Sequence, residues 1–248
     1  MLTYNNDQAL KEKCVRRALA HKSKDMLQAG TYGEDDGRFV ACAIGCQLYD
    51  IAVERGAAWR QLNTGNSDRH AIVSEYYYWP KWLAYLEDTL FEGLPKPEQI
   101  DWPHRLATAI PVGVDITSVR HHLMAYIQRE MLPKNFDVQK YPDIAKSILK
   151  IATLHESAAD GIAITEQDWS VARSAAESAA ESAAESAAWS AARSAAESAA
   201  ESAARSAARS AARSVAWSAA RSAAWSAAES AAYTQIAKKL IDLLEATQ

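Results

Sequence analysis

A four-residue repeat reads Arg173-Ser174-Ala175-Ala176-Glu177-Ser178-Ala179-Ala180 and fills the chain from 169 to 236. Seventeen units follow one another, and only the first residue of each unit varies freely. Ala has the highest helix propensity and is a poor strand former, so the repeat favours an α-helix and leaves a β-solenoid as a second choice. No Gly follows Gly161 and no Pro follows Pro142, so the last 87 residues lack the usual helix breakers. Roughly 80 helical residues at 1.5 Å each would make a rod about 120 Å long.

The period of the repeat predicts how such a helix packs. Four residues exceed the 3.6 of a helical turn, so the variable position moves about 40° around the axis with each unit. Periods above 3.6 favour right-handed wrapping, and rows of Ala and Ser at i, i+4 let helix backbones approach closely. The Ser and the charges keep every apolar stretch far below the roughly 20 residues of a membrane span. The sequence therefore predicts a helix-packing surface and no membrane partner.

The variable positions carry blocks of like charge. Three Glu stand at i, i+4 within 177–185, and three Arg stand likewise within 205–213. Neighbouring like charges are mildly unfavourable within one helix. Two chains running antiparallel about residue 195 would place the Glu block against the Arg block, whereas a parallel in-register pair would stack like charges, so the pattern predicts an antiparallel homo-oligomer. The predicted interface residues are Glu177, Glu181, Glu185, Trp189, Arg193, Glu197, Arg205, Arg209, Arg213, Trp217, Arg221 and Trp225.

Three other interpretations of the repeat stay open. It could be a solvated helix with local pairs such as Glu201 with Arg205, or a helix that docks on the protein's own first domain. The basic and aromatic stretch 205–225 could also track a nucleic-acid backbone. Six Glu balance six Arg at the variable positions and the whole chain has a net charge of −4, which argues against a nucleic-acid partner.

The first 160 residues are long enough for one domain with its own core. Apolar residues at helical spacing, bounded by caps and breakers, predict several helices there. The fold class expected is mainly α, with a multi-helix globular domain over 1–160 and a repeat helix over 161–248 that ends in an amphipathic cap at 236–246. Residues 72–79 are the clearest strand-like run, although their three Tyr suit a helix face equally well. The predicted helices are Asn6 or Asp7 to about Gln28, about Arg38 to Glu54, Pro80 to Gly93, a short helix opened by Pro97 or Pro103, about Ile116 to Leu132, and Asp143 to about Ala158.

A polar Gly-rich loop at 30–37 leads into two cysteines, Cys42 and Cys46, near a predicted helix N-terminus. The field at a helix N-terminus lowers the pKa of a thiol, and a nearby base can activate it as a nucleophile. His21, in the preceding helix, is the nearest candidate base, so the catalytic candidates are Cys42, Cys46 and His21. The alternative is that both cysteines pack on one helix face as small core residues. Two thiols without a His pair at familiar spacing do not predict a metal, and no cofactor is predicted.

Carboxylates on the third predicted helix form another candidate group. Glu87, Asp88 and Glu92 stand among aromatic residues and could serve acid–base chemistry or hold a metal. A solvated polar face is the simpler interpretation. The loop at 30–37 lacks the Lys-Ser/Thr of a phosphate-binding loop, so a nucleotide is not predicted.

Three segments together resemble those of a group of uncharacterised bacterial and phage proteins. These are Cys42–Cys46, read as Cys-Ala-Ile-Gly-Cys, then Trp82–Pro95 and Ala109–Gly113. Similar Ser-Ala-Ala-x tails end in a stretch like Ala237–Leu244. The resemblance covers most of the chain and implies a phage or prophage setting. It carries no activity, cofactor or catalytic residue.

Composition sets the expected compartment and function. Three cysteines without a framework spacing suit a reducing compartment, and the first residues lack the basic and apolar regions of a secretion signal. A cytoplasmic location is expected, in the host cytoplasm if the protein is phage-encoded. The predicted function is a non-enzymatic assembly or partner-binding protein, including one that acts on host factors, with the repeat as oligomerisation or clamp surface. The alternative is a small cysteine-dependent hydrolase or transferase.

Overall fold

The computed structural model describes residues 1–35, 38–64, 68–131, 139–181 and 230–247. Over these residues the chain is mainly helical, which confirms the predicted fold class. Strand structure in this part is confined to a two-residue antiparallel pair, β1 (Glu34–Asp35) and β2 (Phe39–Val40). No helix in the described ranges is both long and apolar enough to cross a membrane. The helices are α1 (Gln8–Ser23), α2 (Ala43–Glu54), α3 (Trp59–Leu62), α4 (Arg69–Tyr77), α5 (Lys81–Gly93), α6 (Lys96–Ala109), α7 (Thr117–Tyr126), α8 (Pro142–Ala159), and the described parts of α9 (166–181) and α10 (230–245).

The chain divides into two compact units. The first unit is Met1–Leu123 together with Ser230–Gln248, and the second unit is Met124–Glu229. The contacts therefore group the C-terminal cap with the N-terminal helices. The division at residue 160 was inferred from composition and stays a prediction.

Helix α2 forms the centre of the first unit. It packs against α1, α3, α4 and α5, and eight of its twelve residues are buried. Small residues make this possible, because a Cβ added at Gly45 would lie 2.5 Å from the carbonyl oxygen of Tyr32. This close approach brings the loop before β1 directly over the N-terminal turn of α2.

Two predicted helix boundaries are wrong, the end of α1 and the start of α2. The segment between them forms a backbone pairing. Helix α1 ends at Ser23 instead of about Gln28, and α2 begins at Ala43 instead of about Arg38. The backbone of Ala41 bonds to the segment before it, accepting from Gln28 N at 2.8 Å and donating to Met26 O at 2.9 Å. The backbone groups of these segments are satisfied across the pair, so neither segment extends its helix.

The strand-like run at 72–79 is helical as far as Tyr77. Asp68 caps α4 by accepting from Ala71 N at 3.0 Å, and Tyr78 ends it in a left-handed conformation with φ 54°. Val73 and Tyr77, four residues apart, are both fully buried. The spacing of the buried residues is therefore that of a helix face.

Helix α10 buries its apolar face within the first unit. Its buried residues fall at helical spacing, and Leu240 and Leu244 are fully buried. The Tyr233 ring lies over Gly93 at the end of α5, where an added Cβ would be 2.3 Å from the ring. The Thr234 hydroxyl donates to Glu98 of α6 at 3.3 Å. The start of α10 thus contacts α5 and α6, and the amphipathic cap predicted at 236–246 buries its apolar residues.

The second unit pairs α8 with a single π-helical turn at Ile127–Met131. Arg129 of that turn donates to Glu156 of α8 at 2.5 Å, and this contact lowers the pKa of Glu156. The ring of His155 lies 4.7 Å from that of Trp169 in α9. These contacts join the turn, α8 and the start of the repeat.

Candidate functional site

Asp88 on α5 lies at the centre of a polar cluster in the first unit. Its Oδ2 atom accepts a hydrogen bond from the Tyr32 hydroxyl at 2.8 Å and lies 3.0 Å from Nε2 of His70. The side chains of His70 and Asp88 are only 12% and 13% exposed. The loop before β1, helix α4 and helix α5 therefore converge on one carboxylate.

The surroundings favour the ionised form of Asp88. Burial works to raise the pKa of this carboxyl, but the hydrogen bonds from His70, Tyr32 and Cys42 together outweigh burial, and the pKa lies below its ordinary value. His70 and Tyr32 both meet Oδ2. The other oxygen, Oδ1, is shielded from solvent and has no hydrogen-bond partner among the described residues. The cluster thus holds a negative charge on Asp88, with the Cys42 thiol as its third neighbouring donor.

Cys42 caps the N-terminus of α2 beside this carboxylate, at the kind of position that the sequence predicts. Its Sγ accepts from Gly45 N at 3.5 Å, and the residue is 1% exposed. Burial, followed by the negative charge of Asp88, raises the pKa of the thiol. The expected lowering by the helix N-terminus is therefore wrong for Cys42.

Glu92 stands one helical turn after Asp88 at the exposed rim of the cluster. Gly30 N, in a turn with φ 81°, donates to both of its carboxylate oxygens at 2.9 and 3.1 Å. Burial of part of the group raises the pKa of Glu92. Cys42 Sγ and one carboxylate oxygen each from Asp88 and Glu92 lie within 4.8 Å of one another. The cluster therefore brings together one sulfur and two oxygen donors.

Aromatic rings fix the groups that hold Asp88. The His70 imidazole stacks on the Tyr85 ring, with centroids 4.1 Å apart and planes 17° apart. The Arg69 guanidinium lies 4.4 Å from the centre of the Tyr32 ring. Stacking and cation–π contacts of this kind restrict the rotation of the side chains involved. The two groups bonded to Asp88 are thus themselves oriented.

The other two catalytic candidates lie elsewhere in the first unit. Cys46 is fully buried, and its thiol lies 3.6 Å from Ala41 O. Nε2 of His21 lies 2.9 Å from Oδ2 of Asp50, and the imidazole is 4% exposed. Within the described ranges, neither Cys42 nor Cys46 forms a hydrogen bond with His21. Both thiols are buried, as small core residues are.

A second buried carboxyl lies on the neighbouring face of α5. Glu87 is fully buried, and Gln47 Nε2 on α2 donates to its two oxygens at 2.9 and 3.1 Å. Burial outweighs this hydrogen bond and raises the pKa of Glu87 to about 8. The Oε1 atom of Gln47 is buried and has no hydrogen-bond partner among the described residues. The solvated polar face expected of these carboxylates is wrong for Glu87 and Asp88.

Most of the predicted interface falls outside the described residues. Glu177 and Glu181 lie on α9, and both are exposed. The remaining predicted interface residues, which are outside the described ranges, are Glu185, Trp189, Arg193, Glu197, Arg205, Arg209, Arg213, Trp217, Arg221 and Trp225.

Burial of the thiols predicts slow alkylation. All three cysteines, Cys14, Cys42 and Cys46, are buried with the pKa raised by burial. We expect a maleimide probe to label them at least about tenfold more slowly in the folded chain than in urea, at both pH 6 and pH 8. Mass spectrometry of digested, quenched samples gives the rate at each site. Rapid labelling of Cys42 at pH 6 would show instead an activated thiolate.

The residues that hold Asp88 gave no signal in the sequence. Tyr32 and His70 lie 56 and 18 residues from Asp88, and neither belongs to a recognisable motif. No protein-family model matches the chain, and no match was found among curated proteins or solved structures.

Proposed function

We propose that this chain is a non-enzymatic assembly or partner-binding protein whose repeat is the contact surface. The exposure of α9, which carries the first units of the repeat, supports this most directly. Ala172 is its one fully buried residue between 166 and 181, whereas Val171 is 45% exposed. An Ala/Ser-rich helix that buries so little gains little stability from packing within its own chain. A partner helix would supply the missing burial.

The contacts of α10 support a repeat that is anchored at its C-terminal end. The repeat runs into α10, where Tyr233 lies over Gly93 of α5 and Thr234 donates to Glu98 of α6. Leu240 and Leu244 of the same helix are fully buried. At its other end the repeat starts in α9 of the second unit, where Trp169 meets His155. The first and last units of the repeat therefore both contact folded parts of the chain.

The order of charges supports a second copy of the chain as the partner. In an antiparallel pair about residue 195, the Glu block at 177–185 of one copy faces the Arg block at 205–213 of the other. The two-fold symmetry doubles these contacts to six. Each exposed pair contributes up to about 1 kcal/mol, so the set determines orientation and adds a modest share of affinity.

Charge reversal in the repeat tests the assembly. We expect the variant with Arg205→Glu, Arg209→Glu and Arg213→Glu to dissociate at least about tenfold more readily, because six attractions become repulsions. Sedimentation equilibrium of the full chain at low and high salt measures the change. Adding Glu177→Arg, Glu181→Arg and Glu185→Arg to that variant is expected to restore the assembly.

The control variant makes the same change in net charge outside the repeat. Arg16, Arg55 and Arg105 are exposed residues of the first unit, and replacing each with Glu is expected to leave the mass unchanged. A wild-type monomer at micromolar concentration in both salts, or equal masses for the two triple variants, would remove the antiparallel arrangement.

The geometry does not favour the cysteine-dependent hydrolase or transferase. The thiols of Cys42 and Cys46 are buried, and Nε2 of His21 lies 2.9 Å from a carboxylate oxygen of Asp50. The phage setting and the cytoplasmic location stay predictions.

A further inference from the structure

We propose that Cys42, Asp88 and Glu92 form a binding site for a zinc-class divalent metal ion. One donor atom of each residue lies within 4.8 Å of the other two. The three residues come from the cap of α2 and from adjacent turns of α5, so helical structure places them. The site stands apart from the repeat and does not depend on the proposed assembly.

The orientation of Asp88 is that of a ligand prepared for an ion. Tyr32 and His70 occupy Oδ2, while Oδ1 is buried and has no hydrogen-bond partner among the described residues. Ligating carboxylates in metal sites are themselves held by hydrogen bonds of this kind, which fix the coordinating atom. A buried carboxylate oxygen is costly unless something binds it, and the neighbouring Cys42 thiol is only a weak donor. A cation that replaces the thiol proton would bind the Asp88 carboxylate more strongly.

The charge balance of the cluster also calls for a cation. Within the described ranges, neither Asp88 nor Glu92 forms an ion pair with a Lys or Arg side chain, and the ion-pair partner recorded for Asp88 is the imidazole of His70. Arg69 lies on the Tyr32 ring and donates to Asn63. Two carboxylates beside a buried thiol thus share little positive charge from the protein.

The donor set selects the class of metal. A thiolate with carboxylates suits zinc and similar borderline-soft ions, whereas calcium and magnesium prefer oxygen alone. Zinc binds sulfur at about 2.3 Å and carboxylate oxygen at about 2.0–2.2 Å, so two ligand atoms of a tetrahedral site lie about 3.4–3.6 Å apart. Donor atoms within 4.8 Å must therefore close by up to about 1.4 Å, and Glu92 at the exposed rim is the residue that would move. Binding releases the proton of the Cys42 thiol to solvent.

Cobalt is the probe that reports the sulfur ligand. Co²⁺ added to metal-free, reduced full-length protein is expected to give the near-ultraviolet thiolate-to-cobalt charge-transfer absorption, and Zn²⁺ to abolish it by displacement. Cys42→Ser is expected to lose the absorption. Cys46→Ser, which changes an equally buried thiol one turn along the same helix, is expected to keep it.

Glu92→Gln keeps the test decisive if Cys42→Ser does not fold. Glu92 is exposed, and its amide counterpart can still accept the hydrogen bond from Gly30 N, so the fold is expected to survive. Its Zn²⁺ dissociation constant, measured by competition with a colorimetric chelator, is expected to rise at least about tenfold. Wild-type protein without charge-transfer absorption at millimolar Co²⁺, equal absorption in Cys42→Ser, or unchanged affinity in Glu92→Gln would overturn the site.

Discussion

Glu87→Gln is expected to stabilise the chain at pH 8 and to leave it almost unchanged at pH 4.5. Glu87 is fully buried against Gln47, and burial raises its pKa to about 8 from an ordinary value of 4.5. The folded chain therefore keeps a proton that the unfolded chain has lost at neutral pH. The side-chain amide introduced by Glu87→Gln is neutral at every pH, and its oxygen can accept the hydrogen bond from Nε2 of Gln47.

The sign of the pH dependence follows from proton binding. Between pH 4.5 and 8 the folded state binds more protons at Glu87 than the unfolded state, so the wild-type free energy of unfolding falls as pH rises. Below pH 4.5 both states are protonated, and above about 8 both are ionised, so the contribution levels off. A pKa difference of about 3.5 at about 1.4 kcal/mol each sets an upper limit of about 5 kcal/mol.

Urea unfolding of both chains at pH 5, 6, 7 and 8, followed by tryptophan fluorescence, measures this effect. The difference in unfolding free energy between Glu87→Gln and wild type is expected to grow steadily over this range, while contributions from other groups cancel. Glu75→Gln changes an exposed carboxyl on α4 and is expected to show no such trend. A difference independent of pH would mean that Glu87 is ionised in the folded chain.

Leu244→Ala is expected to release α10 from the N-terminal helices of the first unit. Leu244 is fully buried, and truncating a buried Leu to Ala costs about 2–5 kcal/mol through lost transfer free energy and the cavity left behind. The neighbouring residue, Glu245, is exposed, so Glu245→Ala is expected to change stability by no more than about 0.5 kcal/mol. The two variants truncate adjacent side chains of one helix, and only the first removes docking contacts.

Hydrogen exchange followed by mass spectrometry separates release of α10 from general unfolding. In Leu244→Ala, the amides of α10 are expected to lose protection while those of α2 keep theirs, because α2 lies at the centre of the unit. Equal protection of α10 in Leu244→Ala and Glu245→Ala would show that the helix is held by contacts other than its apolar face.

Local signals predicted α1, α2, α5, α6, α7 and α8, but they missed α3, left α4 open between strand and helix, and misplaced the helix ends near the β-pair. Pro80 and Gly93 bound α5 as expected, because proline and glycine act on the backbone wherever they stand. The ends of α1 and α2 depended on the bonds between Ala41 and Met26 and Gln28, which join residues more than a dozen positions apart. Helical spacing within one segment carries no information about such pairing.

The candidate site was only partly predictable for the same reason. The N-terminal position of Cys42 followed from local pattern, but its raised pKa depends on burial and on the negative charge of Asp88, which is 46 residues away. Glu87 did leave a signal, because it stands four residues after Leu83 and three before Leu90 on the apolar stripe of α5. A charged residue on such a stripe is better interpreted as buried and neutral than as solvated.

The contact between Gly93 and Tyr233 also bears on how the protein is made. These residues are 140 positions apart, so α5 and α6 leave the ribosome long before α10 exists to cover them. At roughly 5–20 residues per second, the interval is about 7–28 s. During translation the nascent first unit therefore exposes the apolar surface that α10 later buries. Chaperone binding to the unfinished chain, and its loss once residue 244 has emerged, are the expected consequences.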